Sequence, residues 1–174
     1  MRNKIMFYVF VLIVSVSSFS LAKAPKELKV GMKAPNFKLE DSYGKTYTLS
    51  SFKGKMPVIV YFYPKAGTAG CTKEACGIRD DWGKFKKGKI QVLGISVDTK
   101  PEIKKFIKDN NLNFPLLSDA STKVSKTYGV YGKGGYDNRV TFIVDKKGTI
   151  RKIINVTNID QHAKEVYDFA SKLK

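Results

Sequence analysis

Cys71 and Cys76 are the only thiols in a chain of 174 residues, and they lie five residues apart. They follow an apolar run that ends at Pro64 and a short loop that contains glycine. Cys71 stands where a helix is predicted to begin, so free backbone N–H groups and the helix dipole would favour its thiolate form. A second thiol nearby gives an oxidised first sulfur a partner for condensation. The spacing therefore predicts redox chemistry at Cys71.

A structural disulfide is the alternative interpretation of two cysteines in an exported protein. A bridge between residues five apart closes a very short loop and restricts the unfolded chain little. A domain of this length also has enough core to fold without a covalent staple. We therefore expect the pair to be redox-active.

The N-terminal segment has the features of a secretory signal peptide. Arg2 and Lys4 form a basic head, Ile5–Val16 is an apolar run, and a small-x-small sequence ends at Ala22. We predict cleavage of residues 1–22, export to a periplasmic or other extracytoplasmic compartment, and one mature domain over residues 23–174. The alternative is an uncleaved membrane anchor, since an apolar stretch of this length is at the lower limit of a membrane span.

The chain is strongly basic, with 32 lysines and arginines against 15 acidic residues and a formal charge of +17. A nucleic-acid or anionic-membrane partner is one interpretation of such a surplus. However, almost all of the cations are lysines, and they are spread along the chain in runs no longer than a pair. Nucleic-acid sites rely on clustered arginines with interleaved aromatic residues. We therefore expect a solvated lysine-rich surface and no nucleic-acid partner.

The apolar periodicity predicts strands and helices in alternation, closed by a β-hairpin. The predicted strands are Phe37–Glu40, Thr46–Leu49, Pro57–Tyr63, Ile90–Val97, Phe114–Leu117, Val140–Val144 and Thr149–Val156. The predicted helices are Thr72–Lys87, Pro101–Asn110, Ser121–Tyr128 and Asp160–Leu173. This order indicates one α/β domain, in which helices cover both faces of a central mixed β-sheet and an N-terminal β-hairpin adds to it.

The segment around the cysteines resembles a known family. Pro64-x-x-x-Thr68-x-x-Cys71 has the spacing of the peroxiredoxin active-site motif, and the longer string FYPKxxTxGCTKEAC is similar to the peroxiredoxin Q subgroup of the AhpC/TSA superfamily, also called bacterioferritin comigratory protein. The resemblance extends from about Val30 to Val156 and includes GISVD, FPLLSD and RVTFIVD. Ala69 departs from the pattern, because the subgroup commonly has proline there.

The resemblance implies a thioredoxin-like fold and a thiol-dependent peroxidase that reduces hydrogen peroxide and organic hydroperoxides without a metal or another cofactor. Cys71 would be the peroxidatic nucleophile that becomes a sulfenic acid. The hydroxyl of Thr68 would bond the thiolate and the incoming oxygen, and Arg139 would stabilise both with its fixed charge. Pro64 would rigidify the loop and shield the site.

Glu74 matches an acidic position of the family, where it would orient Arg139; the alternative is a solvated carboxylate in the first helical turn.

Cys76 would be the resolving thiol. On one intact helix, residues five apart have Cα atoms about 8.7 Å apart, whereas a disulfide needs roughly 4.4–6.8 Å. Disulfide formation therefore requires the first turns of the helix to unwind, and a thioredoxin-like protein or small thiol must then reduce the bridge. We expect a monomer.

Two other functional classes remain open at this point. An exported thioredoxin-like thiol–disulfide oxidoreductase acting on protein substrates would use the same fold, but that chemistry favours C-x-x-C over the C-x-x-x-x-C found here. A non-enzymatic binding module would use the basic surface instead.

His162 is the only histidine, and since no metal-ligand spacing surrounds it we expect a surface residue. Trp82 is predicted to lie in the core.

Overall fold

A computed structural model describes residues 27–173, which form one seven-stranded mixed sheet with four helices. The predicted signal peptide lies outside the described residues. The strands are β1 (Lys38–Asp41), β2 (Thr46–Thr48), β3 (Val58–Phe62), β4 (Gln91–Ser96), β5 (Leu116–Ser118), β6 (Val140–Val144) and β7 (Ile150–Asn155). The helices are α1 (Ala69–Lys87), α2 (Lys100–Asn110), α3 (Lys123–Thr127) and α4 (Ile159–Ala170).

The sheet runs in the order β2-β1-β5-β4-β3-β6-β7, with the most apolar strands at its centre. Strand β3 is buried along its whole length, as its unbroken β-branched and aromatic sequence predicts. It pairs in parallel with β4 and antiparallel with β6, where Phe62 lies opposite Val140. The C-terminal end of β3 and the N-terminal end of β6 therefore lie side by side, at the same end of these two strands.

Alternate residues of β3 supply two separate cores. Ile59 and Tyr61 face the side covered by α1, α2 and α4. Val60 and Phe62 face the other side, which is covered by the end of α3, the N-terminal segment and a 3-10 turn at Leu49–Phe52. The alternation follows the period of two expected of a strand. It confirms the α/β class and the mixed sheet, with the three longer helices sharing one face.

The helices differ from their predicted bounds mainly at their starts. Helix α1 begins at Ala69, three residues before the predicted Thr72, so Cys71 lies inside its first turn. Helix α3 is only five residues long. Helix α2 begins one residue earlier than predicted, with a capping box formed by Thr99 and Glu102. No helix among residues 27–173 is long and apolar enough to cross a membrane.

Candidate active site

The loop between β3 and α1 brings Cys71 to the N-terminus of a helix. Gly67 allows the turn with a φ of +79°, and Thr68 is the extended residue that precedes the helix. The N–H of Thr72 makes the first helical bond, to the carbonyl of Thr68 at 2.8 Å. The three N–H groups before it have no partner within the helix. These donors and the helix dipole surround the sulfur of Cys71 with partial positive charge.

Asp98 fixes this loop to the sheet. Its Oδ2 accepts hydrogen bonds from the N–H of Ala66 at 2.7 Å and from the hydroxyl of Ser96 at 2.8 Å. Ser96 ends β4, the parallel neighbour of β3, and both side chains are buried. Asp98 was not among the predicted site residues, although the C-terminal end of a buried strand is a usual place for one.

Arg139 lies against Cys71, as the sequence predicts. Its Nη2 donates to Sγ of Cys71 at 3.2 Å, and the cysteine is only 2% exposed. Arg139 precedes β6, which is why it reaches the edge where β3 ends. A Cβ atom at Gly70 would lie 3.3 Å from Nη2, so the absence of a side chain there lets the guanidinium approach the helix start.

Glu74 is a buried ion-pair partner, not a solvated carboxylate. Its Oε2 accepts a hydrogen bond from Nη1 of Arg139, and its side chain is fully buried. Burial alone would lower the pKa of Arg139, but the Glu74 carboxylate and the Cys71 sulfur outweigh it, so the pKa of the guanidinium is raised above its ordinary value. Arg139 is therefore a permanent cation that bridges the carboxylate and the sulfur.

The expectation that His162 lies on the surface is wrong. The residue is fully buried on α4, where its Nδ1 lies 3.0 Å from Oε1 of Glu74. This is ion-pair distance, although the ring does not aim an N–H at that oxygen with hydrogen-bond geometry. Its Nε2 is 2.9 Å from the hydroxyl of Thr141 on β6. The sequence did not predict this burial, because apolar periodicity counts only apolar side chains and no metal-ligand spacing marks the histidine.

The other sequence-predicted residues lie near Cys71 without contacting its sulfur through their polar groups. Thr68 is exposed, and its hydroxyl donates to the carbonyl of Lys65 at 3.0 Å rather than to Sγ. Pro64 is half-buried directly after β3. Cys76 is a free, half-buried thiol on α1. Because both cysteines lie on one continuous helix, the geometric premise for unwinding holds. Trp82 is only half-buried, packed against the edge of the core.

A buried carboxylate network supports the segment that precedes Arg139. Asp137 is fully buried, and its Oδ2 is 3.0 Å from the hydroxyl of Ser125. The same hydroxyl is 2.8 Å from Oδ2 of Asp119, which also accepts the N–H of Ser125. Burial, opposed by the Ser125 contact and reinforced by the charges of Asp119 and Asp98, raises the pKa of Asp137 to about 7. One hydroxyl proton cannot serve two carboxylates, which agrees with a protonated Asp137 below about pH 7.

Within residues 27–173, no group of three or more histidine, cysteine or acidic side chains is arranged to hold a metal ion. The arrangement at Cys71 is instead a sulfur beside a fixed cation and a helix N-terminus. Such a site stabilises a thiolate and the negative charge that develops on an oxygen during attack.

Comparisons with known proteins agree with this geometry. Residues 30–153 match the model of the AhpC/TSA family. A protein named peroxiredoxin Q, chloroplastic, from Triticum aestivum is 44% identical over 152 residues, which covers 80% of this chain and 70% of the relative. A protein of the same name from Populus jackii is 46% identical over 143 residues, covering 81% of this chain and 65% of the relative. The chain thus spans about two thirds of the length of these plant relatives.

Solved structures show the same fold. Peroxidoxin BcpB from Mycobacterium tuberculosis has a TM-score of 0.78 at 33% identity, and the match covers 85% of this chain and 99% of the BcpB chain. The bacterioferritin comigratory protein of Xanthomonas campestris, a protein with alkyl peroxide reduction activity, has a TM-score of 0.72 at 25% identity, with 78% and 90% covered. These matches confirm the resemblance and the thioredoxin-like fold.

Proposed function

The chain belongs to the AhpC/TSA family, and from that premise we propose that it is a thiol-dependent peroxidase that reduces hydrogen peroxide and organic hydroperoxides at Cys71. The observation that carries the proposal is the 3.2 Å contact between Nη2 of Arg139 and Sγ of the buried Cys71 at the start of α1. A fixed cation at that distance stabilises the thiolate and the developing charge on a peroxide oxygen.

The first step is attack of the Cys71 thiolate on one oxygen of the peroxide. The O–O bond breaks as the S–O bond forms, so the sulfur is oxidised by two electrons to a sulfenic acid. The other oxygen leaves with a proton as water or an alcohol. Arg139 and the free N–H groups of the helix start stabilise the charge in this step.

The loop residues shape the space above the sulfur. We propose that the Thr68 hydroxyl leaves the carbonyl of Lys65 and rotates towards the thiolate when a peroxide enters, while Pro64 shields the site. Ala66 and Phe106 line a hollow next to this loop. The rest of its lining is Gly67 and three charged residues, Glu102, Lys105 and Asp109, so the hollow suits a short or polar hydroperoxide better than a long apolar chain.

Cys76 is proposed to resolve the sulfenic acid. Its thiol condenses with the oxidised Cys71 to form a disulfide, with loss of water, and two electrons from a thioredoxin-like protein or a small thiol restore both thiols. Because the two residues share helix α1, its first turns must unwind before the sulfurs meet. Amide hydrogen exchange over residues 72–79 is therefore expected to accelerate on oxidation. Equal protection in both states would contradict the proposed resolution.

Counting free thiols after adding peroxide tests the function. The wild-type protein is expected to lose both thiols rapidly at equimolar hydrogen peroxide. Cys76→Ser is expected to trap a sulfenic acid that a dimedone probe labels, and its matched variant Cys71→Ser to consume no peroxide. If the wild type keeps both thiols but catalyses disulfide exchange on a protein substrate, the protein is a thiol–disulfide oxidoreductase instead.

We propose export for the full chain, on the basic head, the apolar run and the small-x-small sequence that ends at Ala22. Cell fractionation and N-terminal sequencing of the purified protein test this. A mature N-terminus at residue 23 in the extracytoplasmic fraction supports cleavage and export. An intact Met1 in the membrane fraction would instead favour an anchor.

The enzyme is proposed to act as a monomer. The described surface exposes only scattered large apolar side chains, Val30, Tyr43 and Tyr136, which favours a single subunit. Light scattering across a range of concentrations tests this, and a stable dimer at low concentration would contradict it.

A further inference from the structure

His162 is the most unexpected side chain beside the proposed active site. It is fully buried on α4, yet both ring nitrogens face polar atoms of other elements. Nδ1 lies 3.0 Å from Oε1 of Glu74 on α1, and Nε2 lies 2.9 Å from Oγ1 of Thr141 on β6. Tyr61 packs edge-on against the ring, with 6.0 Å between ring centroids. The imidazole therefore ties three elements together directly behind Arg139.

We propose that His162 is a positioning residue for peroxide reduction, acting on Arg139 through Glu74. His162 engages one carboxylate oxygen of Glu74, and Nη1 of Arg139 engages the other. This division leaves Nη2 of Arg139 free to face Sγ of Cys71. The inference deepens the proposed function and rests on it.

The chemistry of a carboxylate explains why a second partner matters. An ionised carboxylate is an acceptor with two oxygens, and a guanidinium binds it best through two parallel N–H bonds. Oε1 of Glu74 is buried without a hydrogen bond, and Nδ1 of His162 faces it at 3.0 Å. Replacing His162 by an apolar side chain removes this polar neighbour. The carboxylate would then turn to take both Nη groups of Arg139. That movement would withdraw Nη2 from the sulfur.

Thr141 keeps the ring in the required orientation. Its hydroxyl can donate to Nε2 or accept from it, so the contact suits either protonation form of the imidazole. The residue is buried in the middle of the sheet, where it pairs with Tyr61 of the neighbouring strand β3. A rigid strand therefore fixes His162, which in turn fixes Glu74.

Two substitutions at position 162 separate positioning from packing. His162→Leu keeps an apolar side chain in the core but removes both nitrogens. His162→Asn is smaller but retains an amide nitrogen at the place of Nδ1, from which it can donate to Glu74. The rate of sulfenic acid formation with hydrogen peroxide is measured in the Cys76→Ser background by stopped-flow fluorescence of Trp82, the only tryptophan. Alkylation of Cys71 by iodoacetamide is measured in parallel.

The leucine variant is expected to react with peroxide about tenfold more slowly or worse, since misplacement of an active-site group by about 1 Å costs up to roughly a hundredfold. Alkylation should slow less, because that reaction needs no contact between Arg139 and a peroxide oxygen. The asparagine variant should recover most of the peroxide rate. A leucine variant with the wild-type rate, equal losses in both reactions, or an asparagine variant no better than leucine would each overturn the proposal.

A double-mutant cycle tests the route through Glu74. In a Glu74→Gln background the carboxylate is gone, so His162→Leu should have little further effect on the peroxide rate. An undiminished effect would overturn the proposed route. If His162→Leu does not fold, Thr141→Val gives an independent test, because it releases Nε2 with little change in volume and is expected to slow the peroxide reaction selectively. An unchanged rate in that variant would count against the proposal.

The proposed function can fail separately. A wild-type protein that does not react with peroxide would refute the peroxidase itself. A reactive wild type with an equally reactive His162→Leu variant would refute only the role of His162.

Discussion

At the scale of single residues, the site is a continuous series of polar contacts from Cys71 through Arg139 and Glu74 to His162. Arginine suits the second position because its planar fork can reach two partners at once, whereas lysine is a single point charge. The geometry of the guanidinium should therefore matter as much as its charge.

Arg139→Lys is expected to lower the rate of Cys71 oxidation by hydrogen peroxide about a hundredfold, the usual cost of losing one donor to a developing charge. Stopped-flow measurement of the second-order rate constant checks this. Arg151→Lys is the matched control, since Arg151 is exposed on β7 and its guanidinium lies 3.7 Å from Asp145. An Arg139→Lys enzyme as fast as the Arg151→Lys control would show that charge alone suffices.

Asp137 should make the stability of the protein depend on pH. Its pKa is raised from 3.8 to about 7, chiefly by burial. The folded state therefore binds this proton more tightly than the unfolded state, so the contribution to stability falls as pH rises from about 4 to about 7 and stays low above that. Asp137→Asn cannot lose a proton. Relative to wild type, its free energy of unfolding should rise across this interval.

Urea denaturation of both proteins at about pH 5 and about pH 8 measures the difference. Asp109→Asn, which changes a carboxylate at the solvent-facing end of α2, controls for a general effect of charge. The same pH dependence in wild type and Asp137→Asn would contradict the protonation of Asp137.

At the scale of elements, α1 has two tasks that conflict. Its folded first turn holds Cys71 beside Arg139, but in the proposed cycle this turn must unfold so that Cys76 reaches the oxidised sulfur. Arg79 opposes that opening, because its Nη1 donates to the carbonyl of Asn110 at 2.7 Å and so fastens α1 to the end of α2. The strength of this contact should set the balance between the two tasks.

Arg79→Met is expected to accelerate disulfide formation about fivefold. A hydrogen bond from a charged donor stabilises a folded state by roughly 1.5–3 kcal/mol. Because the Arg79 side chain is 29% exposed, solvent screens the interaction and we expect it to contribute about 1 kcal/mol. Rapid mixing with peroxide followed by acid quench and mass spectrometry measures the rate. Lys87→Met, an exposed change at the end of α1, is the control. If both variants form the disulfide at the wild-type rate, the contact does not limit unwinding.

At the scale of the whole molecule, the positions of the central strands follow from recognisable sequence patterns, but several of the contacts at the site do not. The continuous apolar runs of β3, β4 and β6 predict buried central strands, and the structure has them within one residue. The family resemblance at RVTFIVD predicted that Arg139 would lie near Cys71, and its Nη2 is 3.2 Å from Sγ of Cys71.

Other features depend on distant residues and leave no local trace. The loop before helix α1 is held at Ala66 by Asp98, which lies two residues after the end of β4 and 32 residues further along the chain. His162 is buried because Glu74 and Thr141 approach it from α1 and β6. A periodicity argument considers one element at a time, so it cannot identify a side chain whose partners lie on two others.

The stability of the whole domain should depend on Gly94 at the centre of the sheet. A Cβ atom there would lie 2.4 Å from Cδ2 of Leu116 and 2.7 Å from the ring of Tyr61. Gly94→Ala is therefore expected to destabilise the protein by about 1–3 kcal/mol through overpacking and to lower its melting temperature by roughly 5 °C. Differential scanning calorimetry measures this.

Gly83→Ala provides a control of opposite sign. Gly83 lies on the exposed side of α1, where nothing is within 4 Å of an added Cβ atom. Alanine should therefore stabilise the protein by up to about 1 kcal/mol through helix propensity. A Gly94→Ala protein as stable as the Gly83→Ala variant would show that the sheet can adjust to the extra methyl group.

The packing of α1 against α4 has a consequence for recycling. Three contacts join their N-terminal halves: Lys73 with Asp160 at 2.6 Å, Glu74 with His162, and Gly77 beside Ala163. Lys73 and Glu74 lie between the two cysteines and Gly77 directly follows Cys76. In the proposed cycle, this part of α1 opens for the two sulfurs to join. The oxidised enzyme would thus expose a part of α4 that α1 covers in the reduced enzyme. An electron donor that recognises this surface would bind the oxidised form selectively.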